Sequence, residues 1–245
     1  MVKEWVKKLK TILITGATSG IGEALALYAA SQGYRVIACG RNTTKLEKLS
    51  EIDNITTLKF DVSVQEECVK ALSSVSADIF VMNAGTCEYV DIDNFDPTLF
   101  QRVIQANFMG VVNCIAGILP NAKSGNQIVL VDSLARLLPF TRTQAYGASK
   151  AALYYFGKSL EVDLAPKRVM VQTVSPGFVE TPLTDKNDFE MPMKISAENA
   201  VQALLKGIEK RRKTIYFPYL FSLLMRVLSW LPMRSQVWLC KRITL

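Results

Sequence analysis

The 245-residue chain has no histidine, and its five cysteines are scattered without a C-x-x-C pair. Because zinc sites are built largely from His and Cys ligands, we predict no metal site. An odd number of scattered cysteines indicates reduced thiols. The first strand-like run begins directly after Lys10, which leaves no room for an apolar secretory segment, so we expect a cytoplasmic protein.

Linkers, low-complexity stretches and internal repeats are also absent. With 49% hydrophobic residues, the chain can bury one sizeable core. Strand-like runs, with helical patterns between several of them, recur at Ile12, Val36, Leu58, Ile79, Ile128 and Val169. This alternation predicts an α/β fold, a Rossmann-type doubly wound parallel sheet in three α/β/α layers, built as a single domain over residues 1–245.

A glycine-rich turn follows the first strand-like run, with the sequence Thr15-Gly16-Ala17-Thr18-Ser19-Gly20-Ile21-Gly22. In such a turn Gly16 permits the tight bend, Gly20 lets backbone approach a pyrophosphate, and Gly22 lets the next helix pack on the sheet. The free N–H groups at the start of that helix favour phosphate. The turn therefore predicts a dinucleotide site.

A second motif combines Ser133, at the end of a buried strand-like run, with Tyr146 and Lys150 at i,i+4 spacing. That spacing places Tyr146 and Lys150 on one helix face. There we expect the ammonium to lower the phenol pKa from its reference value of about 10, toward the range of efficient acid–base catalysis. Together with the glycine turn, the motif predicts hydride transfer between a nicotinamide cofactor and a carbonyl or alcohol group.

At these residues the chain resembles the short-chain dehydrogenase/reductase family in its compact single-domain form, over roughly Thr11 to Phe217. Asn83-Ala84-Gly85 and the Pro176-Gly177 loop also match. The resemblance implies cofactor contacts from both turns and from the catalytic helix, namely Gly16, Thr18, Ser19, Gly20, Ile21, Gly22, Asn83, Ala84, Gly85, Tyr146, Lys150, Pro176, Gly177, Val179 and Thr181.

The resemblance also implies a catalytic set of four residues. Tyr146 gives a proton to a ketone oxygen as hydride arrives, or takes it back in oxidation, and Ser133 orients that oxygen. Lys150 lowers the pKa of Tyr146 and holds the nicotinamide ribose. Asn107 positions a water that leads to bulk solvent, although as a helix residue it could instead simply bond to backbone.

The end of the second strand-like run bears on the cofactor type. An acidic residue there would bond a ribose 2′-hydroxyl, whereas Gly40-Arg41-Asn42 offers a guanidinium fork that suits a 2′-phosphate. The tripeptide resembles the family's NADP-preferring pattern, although Ser19 stands where many NADP users carry a basic residue. Asp61-Val62 matches the pair that contacts adenine. We predict NADP(H) in preference to NAD(H), with Arg41, Asn42, Asp61 and Val62 as contacts; the alternative leaves Arg41 a solvated loop charge.

Basic charge lies at the two ends of the chain. The net charge is +7, and the segment from Lys206 to Leu245 holds nine basic residues and one acid, Glu209. No base-reading or stacking motif accompanies this charge, so we predict no nucleic-acid partner.

The C-terminal tail at about 218–245 contains the apolar run Tyr219–Leu231, with one narrow polar stripe of Ser222, Arg226 and Ser229. Thirteen residues are too few to cross a bilayer, which needs about 20. Pro232 is expected to end this helix, and Trp238, Lys241 and Arg242 follow. Three interpretations stay open: internal or subunit packing, peripheral contact with a membrane surface, and cover over an apolar substrate.

The stretch from Thr184 to Ile195 leads to a helix that Ser196 is expected to cap. In the family this region is a mobile substrate lid, where Phe189, Met191 and Met193 would supply apolar contacts. The stretch suggests a bulky or apolar carbonyl substrate; the alternative is an ordinary surface loop.

The prediction is therefore an NADP(H)-dependent oxidoreductase that interconverts a carbonyl compound and its alcohol, and the family resemblance implies a homodimer or homotetramer. The alternative from another class is a non-catalytic NADP(H)-binding sensor or scaffold, which would have no need of Tyr146 and Lys150 together. A sugar-nucleotide epimerase would share these two residues but usually has different glycine spacing and a larger substrate region.

Overall fold

Within the residues that the computed structural model describes, 9–186 and 190–243, one sheet of seven parallel strands forms the centre of the molecule. The strands are β1 (Thr11–Thr15), β2 (Arg35–Gly40), β3 (Ile55–Lys59), β4 (Ile79–Met82), β5 (Gln127–Val131), β6 (Met170–Pro176) and β7 (Thr214–Phe217). Their order across the sheet is β3-β2-β1-β4-β5-β6-β7. The order reverses between β1 and β4, and such a reversal opens a ligand crevice at the carboxyl ends of the strands.

Helices follow most of the strands and cover the sheet. They are α1 (Gly20–Ser31), α2 (Thr43–Ser50), α3 (Gln65–Leu72), α4 (Pro97–Ile104), α5 (Gly110–Ile118), α6 (Gln144–Leu164), α7 (Ala197–Glu209), α8 (Tyr219–Leu228) and α9 (Met233–Ile243). Helices α1 and α7 contact each other, as do α3 with α5 and α4 with α6.

The core is divided by the sheet, as β1 shows. Ile12 and Ile14 join a cluster with residues of α1 and α7, whereas Leu13 joins a second cluster with residues of α3, α5 and α6. Successive strand side chains point to opposite faces, so a strand covered on both faces is apolar throughout. The predicted Rossmann-type parallel sheet in three α/β/α layers is confirmed.

The predicted strands and caps agree closely with the structure. Ser196 caps α7 by accepting a hydrogen bond from the backbone N–H of Asn199 at 3.2 Å. Val169, predicted to lie in a strand, instead comes one residue before β6. The sequence analysis named neither β7 nor α9.

Helices α4 and α5 are joined by a π-helical turn, Gln105–Met109. Among the described residues, the continuous stretch Pro97–Asn121 is the one that length and composition would allow to cross a bilayer. Half of its most apolar 18-residue window is buried, and its two helices contact α3 and α6. This stretch therefore packs as a core helix.

The tail packs beside the carboxyl ends of β5 and β6. Helix α8 ends at Leu228, three residues before the predicted end at Leu231. Its buried residues are Phe221, Ser222 and Met225. They join a third cluster with Leu134 and Leu138, which follow β5.

Candidate active site

Two adjoining cavities, of about 380 and 330 Å³, lie at the carboxyl ends of the strands. Both are lined by Gly16 and Ser19 of the glycine turn and by Ala84, Gly85 and Thr86 after β4. They therefore form one groove that crosses the sheet where its strand order reverses.

The groove brings together nearly all the residues predicted for the site. The first cavity, which we call the β2 cavity, is lined by the predicted residues Gly16, Thr18, Ser19, Arg41, Asn42, Asp61, Val62, Ala84 and Gly85. The second, the β5 cavity, is lined by Gly16, Ser19, Gly20, Ile21, Asn83, Ala84, Gly85, Ser133, Tyr146, Lys150, Pro176, Gly177, Val179 and Thr181. Two predicted residues, Gly22 and Asn107, line neither cavity.

The glycine turn uses its glycines in different ways. Gly16 and Gly20 have positive φ angles, 67° and 55°, which favour glycine. A Cβ on Gly16 would lie 2.8 Å from the Cα of Ala84. A Cβ on Gly22 would lie 2.2 Å from the carbonyl oxygen of Gly16. Gly22 therefore permits close packing of α1 beneath the turn and does not face the groove.

Thr15 ties the glycine turn to the end of β4. Its hydroxyl oxygen accepts hydrogen bonds from the backbone N–H groups of Asn83 at 3.0 Å and Ala84 at 3.1 Å. The Asn83 side-chain amide donates to the carbonyl oxygen of Thr15 at 3.1 Å. Asn83 was predicted as a cofactor contact, whereas no role was predicted for the Thr15 hydroxyl, although a hydroxyl at the end of a buried strand is a signal for such a bond.

Arg41 and Asp61, both predicted cofactor contacts, form a salt bridge of 3.1 Å at the rim of the β2 cavity. The Arg41 side chain is 75% exposed. Burial raises the pKa of Asp61, but hydrogen bonds from Ser63 and the Arg41 guanidinium outweigh it and hold the pKa below its usual value. Asn42 caps α2 by accepting a hydrogen bond from Lys45 N–H. This rim therefore presents a solvated cation beside a paired carboxylate.

Tyr146 and Lys150 lie on α6 and face the β5 cavity. The Lys150 ammonium is 5.7 Å from the centre of the Tyr146 ring and donates to the carbonyl oxygen of Val131 at 2.9 Å. Burial lowers the pKa of Lys150 to about 8, although the negative charge of Asp132 opposes that change.

The pKa of Tyr146 differs from the sequence-based expectation. We predicted that Lys150 would lower it, whereas in the structure it is raised, mainly by burial, against a hydrogen bond with Ser133 that lowers it. Removing the phenol from water disfavours the phenolate more than its neighbours favour it. Tyr146 is therefore protonated at neutral pH and can donate a proton.

Ser133 begins a short 3₁₀ turn, Leu134–Arg136, directly after β5. Its hydroxyl oxygen accepts a hydrogen bond from Ala135 N–H at 3.1 Å, which fixes the side chain at the cavity wall. Ser133 and Tyr146 are thus held together, so both can reach one substrate oxygen.

Asp132, which sequence analysis did not select, is a buried carboxylate that lines the β5 cavity. Its Oδ1 accepts hydrogen bonds from Arg136 Nε at 3.1 Å and from the Ser175 hydroxyl. Its Oδ2 has no hydrogen-bond partner among the described residues. Burial raises the pKa of Asp132 to about 6, against the opposing charge of Arg136. In the sequence, the signal for this buried carboxylate is an acidic residue directly after an apolar strand.

Asn107 lies on the π-helical turn and is fully buried. Its side chain accepts a hydrogen bond from Thr86 N–H at 2.7 Å and donates to the Thr86 carbonyl at 2.9 Å and to the Ser149 hydroxyl at 3.0 Å. These contacts support the segment after β4, which lines both cavities.

The side of the β5 cavity away from α6 is formed by residues after β6. Pro182, Leu183 and Thr184 line it together with the predicted loop residues. In the predicted lid, Met191 is partly buried and Met193 is exposed, whereas Phe189 lies outside the described residues.

Comparison with known proteins finds a matching family model, similar sequences and similar solved structures. Residues 10–214 match the family model for short chain dehydrogenases. An uncharacterised oxidoreductase of Myxococcus xanthus is 32% identical, over 91% of this chain and 93% of that protein. An NADPH-dependent 1-acyldihydroxyacetone phosphate reductase of Schizosaccharomyces pombe is 31% identical, over 86% and 69%. A short chain dehydrogenase from Burkholderia cenocepacia, solved in complex with NADP, superposes with a TM-score of 0.82 at 25% identity and covers 90% of this chain and 93% of that chain.

Proposed function

The chain belongs to the short chain dehydrogenase family of oxidoreductases, and on that basis we propose that it uses NADP(H) to interconvert a carbonyl compound and its alcohol. One observation carries the proposal: Ser133, Tyr146 and Lys150 line a cavity that continues into the glycine turn. We further propose that residues 1–245 act as one domain and assemble as a homodimer or homotetramer in the cytoplasm.

The groove fits an extended dinucleotide. Its two cavities meet at Gly16, which lines both and has no side chain, so backbone forms the surface of the groove there. Helix α1 begins at Gly20, beside this junction, and helix N-termini favour phosphate. The β2 cavity then holds the adenosine half of the cofactor and the β5 cavity holds the nicotinamide half.

Three observations support NADP(H) over NAD(H). Strand β2 ends in Gly40-Arg41, with no carboxylate at the position that would bond a 2′-hydroxyl. Arg41 is exposed at the rim of the β2 cavity, and its planar fork suits a 2′-phosphate. The Burkholderia structure was solved with NADP, and the Schizosaccharomyces pombe relative is NADPH-dependent.

The nicotinamide supplies or accepts hydride when the cofactor is bound. Tyr146 holds a proton at neutral pH and donates it from the phenol oxygen to the substrate oxygen in reduction, and the reverse step returns it. Ser133 hydrogen-bonds the same oxygen and orients it. Lys150, fixed by the Val131 carbonyl, holds the ribose hydroxyls and lies close enough to Tyr146 to stabilise a developing phenolate.

An apolar carbonyl substrate fits the surroundings of Ser133. The β5 cavity that Ser133 lines is also lined by the apolar side chains of Val179, Pro182 and Leu183. Apolar side chains bind an apolar ligand favourably because both are removed from water. These side chains therefore favour a substrate with a lipid-like or bulky apolar group. The acyl substrate of the Schizosaccharomyces pombe relative supports the same class.

Cofactor titration by NADPH and NADH fluorescence tests the proposal on wild type, Arg41→Ala and Arg35→Ala. Arg35 is a matched control because it is exposed at the opposite end of β2. We expect wild type and Arg35→Ala to prefer NADPH, and Arg41→Ala to lose that preference. Equal binding of both cofactors by wild type would overturn the cofactor assignment.

A panel of apolar ketones and aldehydes with NADPH then tests turnover. Reduction of at least one class, with cofactor oxidation matching alcohol formation, is the expected result. Tight NADPH binding without turnover of any carbonyl class would instead favour the sensor or scaffold alternative.

A further inference from the structure

Helix α8 packs against the protein through Phe221, Ser222 and Met225, so its inward side includes a polar residue between apolar ones. Ser222 is only 2% exposed, and the Arg226 guanidinium lies over the Tyr216 ring at 4.7 Å. The outward positions are aliphatic: Leu220 is 67% exposed and Leu224 is 48% exposed. A surface helix normally turns its apolar stripe to the core, so this orientation leaves an apolar face for a contact outside the chain.

Exposed apolar residues of α8 recur at i, i+3, i+4 and i+7, and a further one follows the helix at i+10. We call this surface the tail face; it consists of Leu220, Leu223, Leu224, Val227 and Trp230. Trp230 is 81% exposed, and Trp238 of α9 is 59% exposed. Monomeric proteins seldom expose contiguous apolar surface of this kind, and such surface usually marks an interaction site.

The tail also carries charge of one sign. The last acidic residue in the sequence is Glu209, so every charged side chain after it is basic. In α9, Arg234, Lys241 and Arg242 are exposed, and the Arg242 guanidinium lies over the Trp238 ring at 5.0 Å. An apolar face flanked by tryptophan and cations is complementary to an anionic lipid surface, where acyl chains meet acidic headgroups.

The length of α8 and the charge of the tail favour a membrane surface over a membrane span or a second copy of the chain. Ten residues of α8 extend about 15 Å, roughly half the hydrocarbon thickness of a bilayer, so the helix can lie in the interface but cannot span. A second copy of the chain would bring an identical set of cations to a twofold contact, and like charges repel. Anionic headgroups neutralise the same cations.

We propose that the tail face and the cations of α9 form a docking surface for an anionic membrane. The surface adjoins the candidate active site: the Phe221 ring, on the buried side of α8, lies 5.6 Å from the Phe178 ring. A Cβ on Gly177, which lines the β5 cavity, would lie 2.9 Å from Phe221. Docking therefore brings the rim of that cavity to the bilayer, where apolar molecules concentrate.

Vesicle flotation of the full-length protein tests the proposal without any measure of catalysis. The probes are vesicles of phosphatidylcholine alone and of phosphatidylcholine mixed with phosphatidylglycerol. We expect wild type to float with the anionic vesicles, to float less with the neutral ones, and to lose binding as salt is added. Fluorescence of Trp230 and Trp238 should shift to the blue on binding.

Two variants separate the apolar and ionic contributions. Leu220→Gln/Leu224→Gln should lose binding to both kinds of vesicle. Arg234→Gln/Lys241→Gln should bind anionic vesicles about 25-fold more weakly, since each cation near such a surface contributes about fivefold. Matched controls with wild-type binding are Ile92→Gln, an equally exposed apolar residue, and Lys206→Gln/Lys210→Gln, two exposed cations in the last turn of α7 and directly after it.

Circular dichroism and light scattering on the same samples verify fold and mass. The proposal is overturned if wild type fails to float with anionic vesicles, or if folded Leu220→Gln/Leu224→Gln floats as well as wild type. If wild type does not bind vesicles and that variant changes a dimer into a monomer, the tail face is instead a contact between copies. The vesicle measurements do not depend on NADPH binding. If the proposed cofactor assignment fails, the outcome of the vesicle test is therefore unaffected.

Discussion

Two Arg–Asp pairs, one at each end of the groove, have the same 3.1 Å separation, but the pKa of the carboxyl is shifted in opposite directions. Arg41 and Asp61 lie at the rim of the β2 cavity, where the Arg41 side chain is 75% exposed, and the pKa of Asp61 is lowered. Arg136 and Asp132 adjoin the β5 cavity, where the Asp132 side chain is 0% exposed, and its pKa is raised to about 6.

The extent of burial therefore decides whether hydrogen bonds and the partner charge can lower a carboxyl pKa: they outweigh burial at Asp61 but not at Asp132. Water screens and solvates the outer pair, so a modest gain from hydrogen bonds suffices to lower the pKa. For the inner pair, the loss of hydration raises the carboxyl pKa more than the single guanidinium lowers it. Burial likewise raises the pKa of Tyr146 and lowers the pKa of Lys150, and both shifts favour the neutral form of the side chain. Under the proposed function, cofactor binding at one end of the groove would rely on solvated charge, and chemistry at the other end on buried groups.

The largest expected effect separates chemistry from binding. Tyr146→Phe should lower kcat by about 10²- to 10⁴-fold, the usual contribution of a positioned proton donor, with NADPH affinity changed little. Arg41→Ala should weaken NADPH binding while kcat at saturating cofactor stays near wild type. Tyr155→Phe is the matched control, because Tyr155 is an exposed tyrosine on the same helix. Steady-state kinetics with an identified carbonyl substrate measure both; near-normal kcat in Tyr146→Phe would reject its role as proton donor.

Removing each arginine tests the two pairs as structural elements. Arg136→Met leaves Asp132 buried without its partner and should lower the free energy of unfolding by about 3–5 kcal/mol. Arg41→Met breaks the exposed pair and should cost about 0–1 kcal/mol. Urea denaturation followed by circular dichroism at neutral pH gives both values. Similar losses for the two variants would contradict the contrast in burial.

A double variant distinguishes an unpaired charge from lost packing at the inner pair. In Asp132→Asn/Arg136→Met neither charge remains, so most of the stability lost in Arg136→Met should return. If the double variant is as unstable as Arg136→Met, the loss arises from packing of Arg136 on the Tyr154 ring, 3.4 Å away.

The two carboxyls should also give stability opposite dependences on pH. The pKa of Asp132 is about 6 in the folded chain and about 4 when unfolded, so its contribution is present below pH 4 and is lost as pH rises through 6, by at most about 3 kcal/mol. The pKa of Asp61 is lowered, so its contribution is present above pH 4 and is lost as pH falls below that. The free energy of unfolding of wild type relative to Asp132→Asn, and relative to Asp61→Asn, measured from about pH 3 to 7, separates the two. A difference from Asp132→Asn that stays constant across this range would show that burial does not perturb that carboxyl.

The predictable parts of the molecule are those set by local pattern. The glycine turn between a strand and a helix, and the i,i+4 spacing of Tyr146 and Lys150, fix the shape of short segments, and parallel strands then bring those segments to one edge of the sheet. For the same reason the parallel sheet and the position of the groove follow from the alternation of elements, whereas the strand order was not predicted. Gly22 was predicted both to permit packing and to contact the cofactor; in the structure it packs against Gly16 and lines neither cavity.

The parts that could not be predicted depend on burial. The i,i+4 spacing of Asp132 and Arg136 is also that of an ordinary surface pair, and only the folded chain shows it buried against Ser175. The pKa of Tyr146 was wrongly predicted for this reason, since spacing identifies a neighbour but not the loss of water. Likewise the polar stripe of α8 did not reveal which side of the helix faces the protein, and in the structure Ser222 is buried.

The smallest expected effect tests whether the inner carboxylate acts on the catalytic lysine. Asp132 raises the pKa of Lys150, against the burial that lowers it to about 8. In Asp132→Asn that negative charge is absent, so the lysine should lose its proton at lower pH and the alkaline limb of kcat/KM should move down by roughly one pH unit or less. Asp61→Asn, which removes a carboxylate at the other end of the groove, should leave the limb in place. Rates recorded between about pH 6 and 10 measure the shift. An unchanged limb in Asp132→Asn would confine the inner pair to a structural role, whereas equal shifts in both variants would mean that net charge, and not the position of Asp132, controls the lysine.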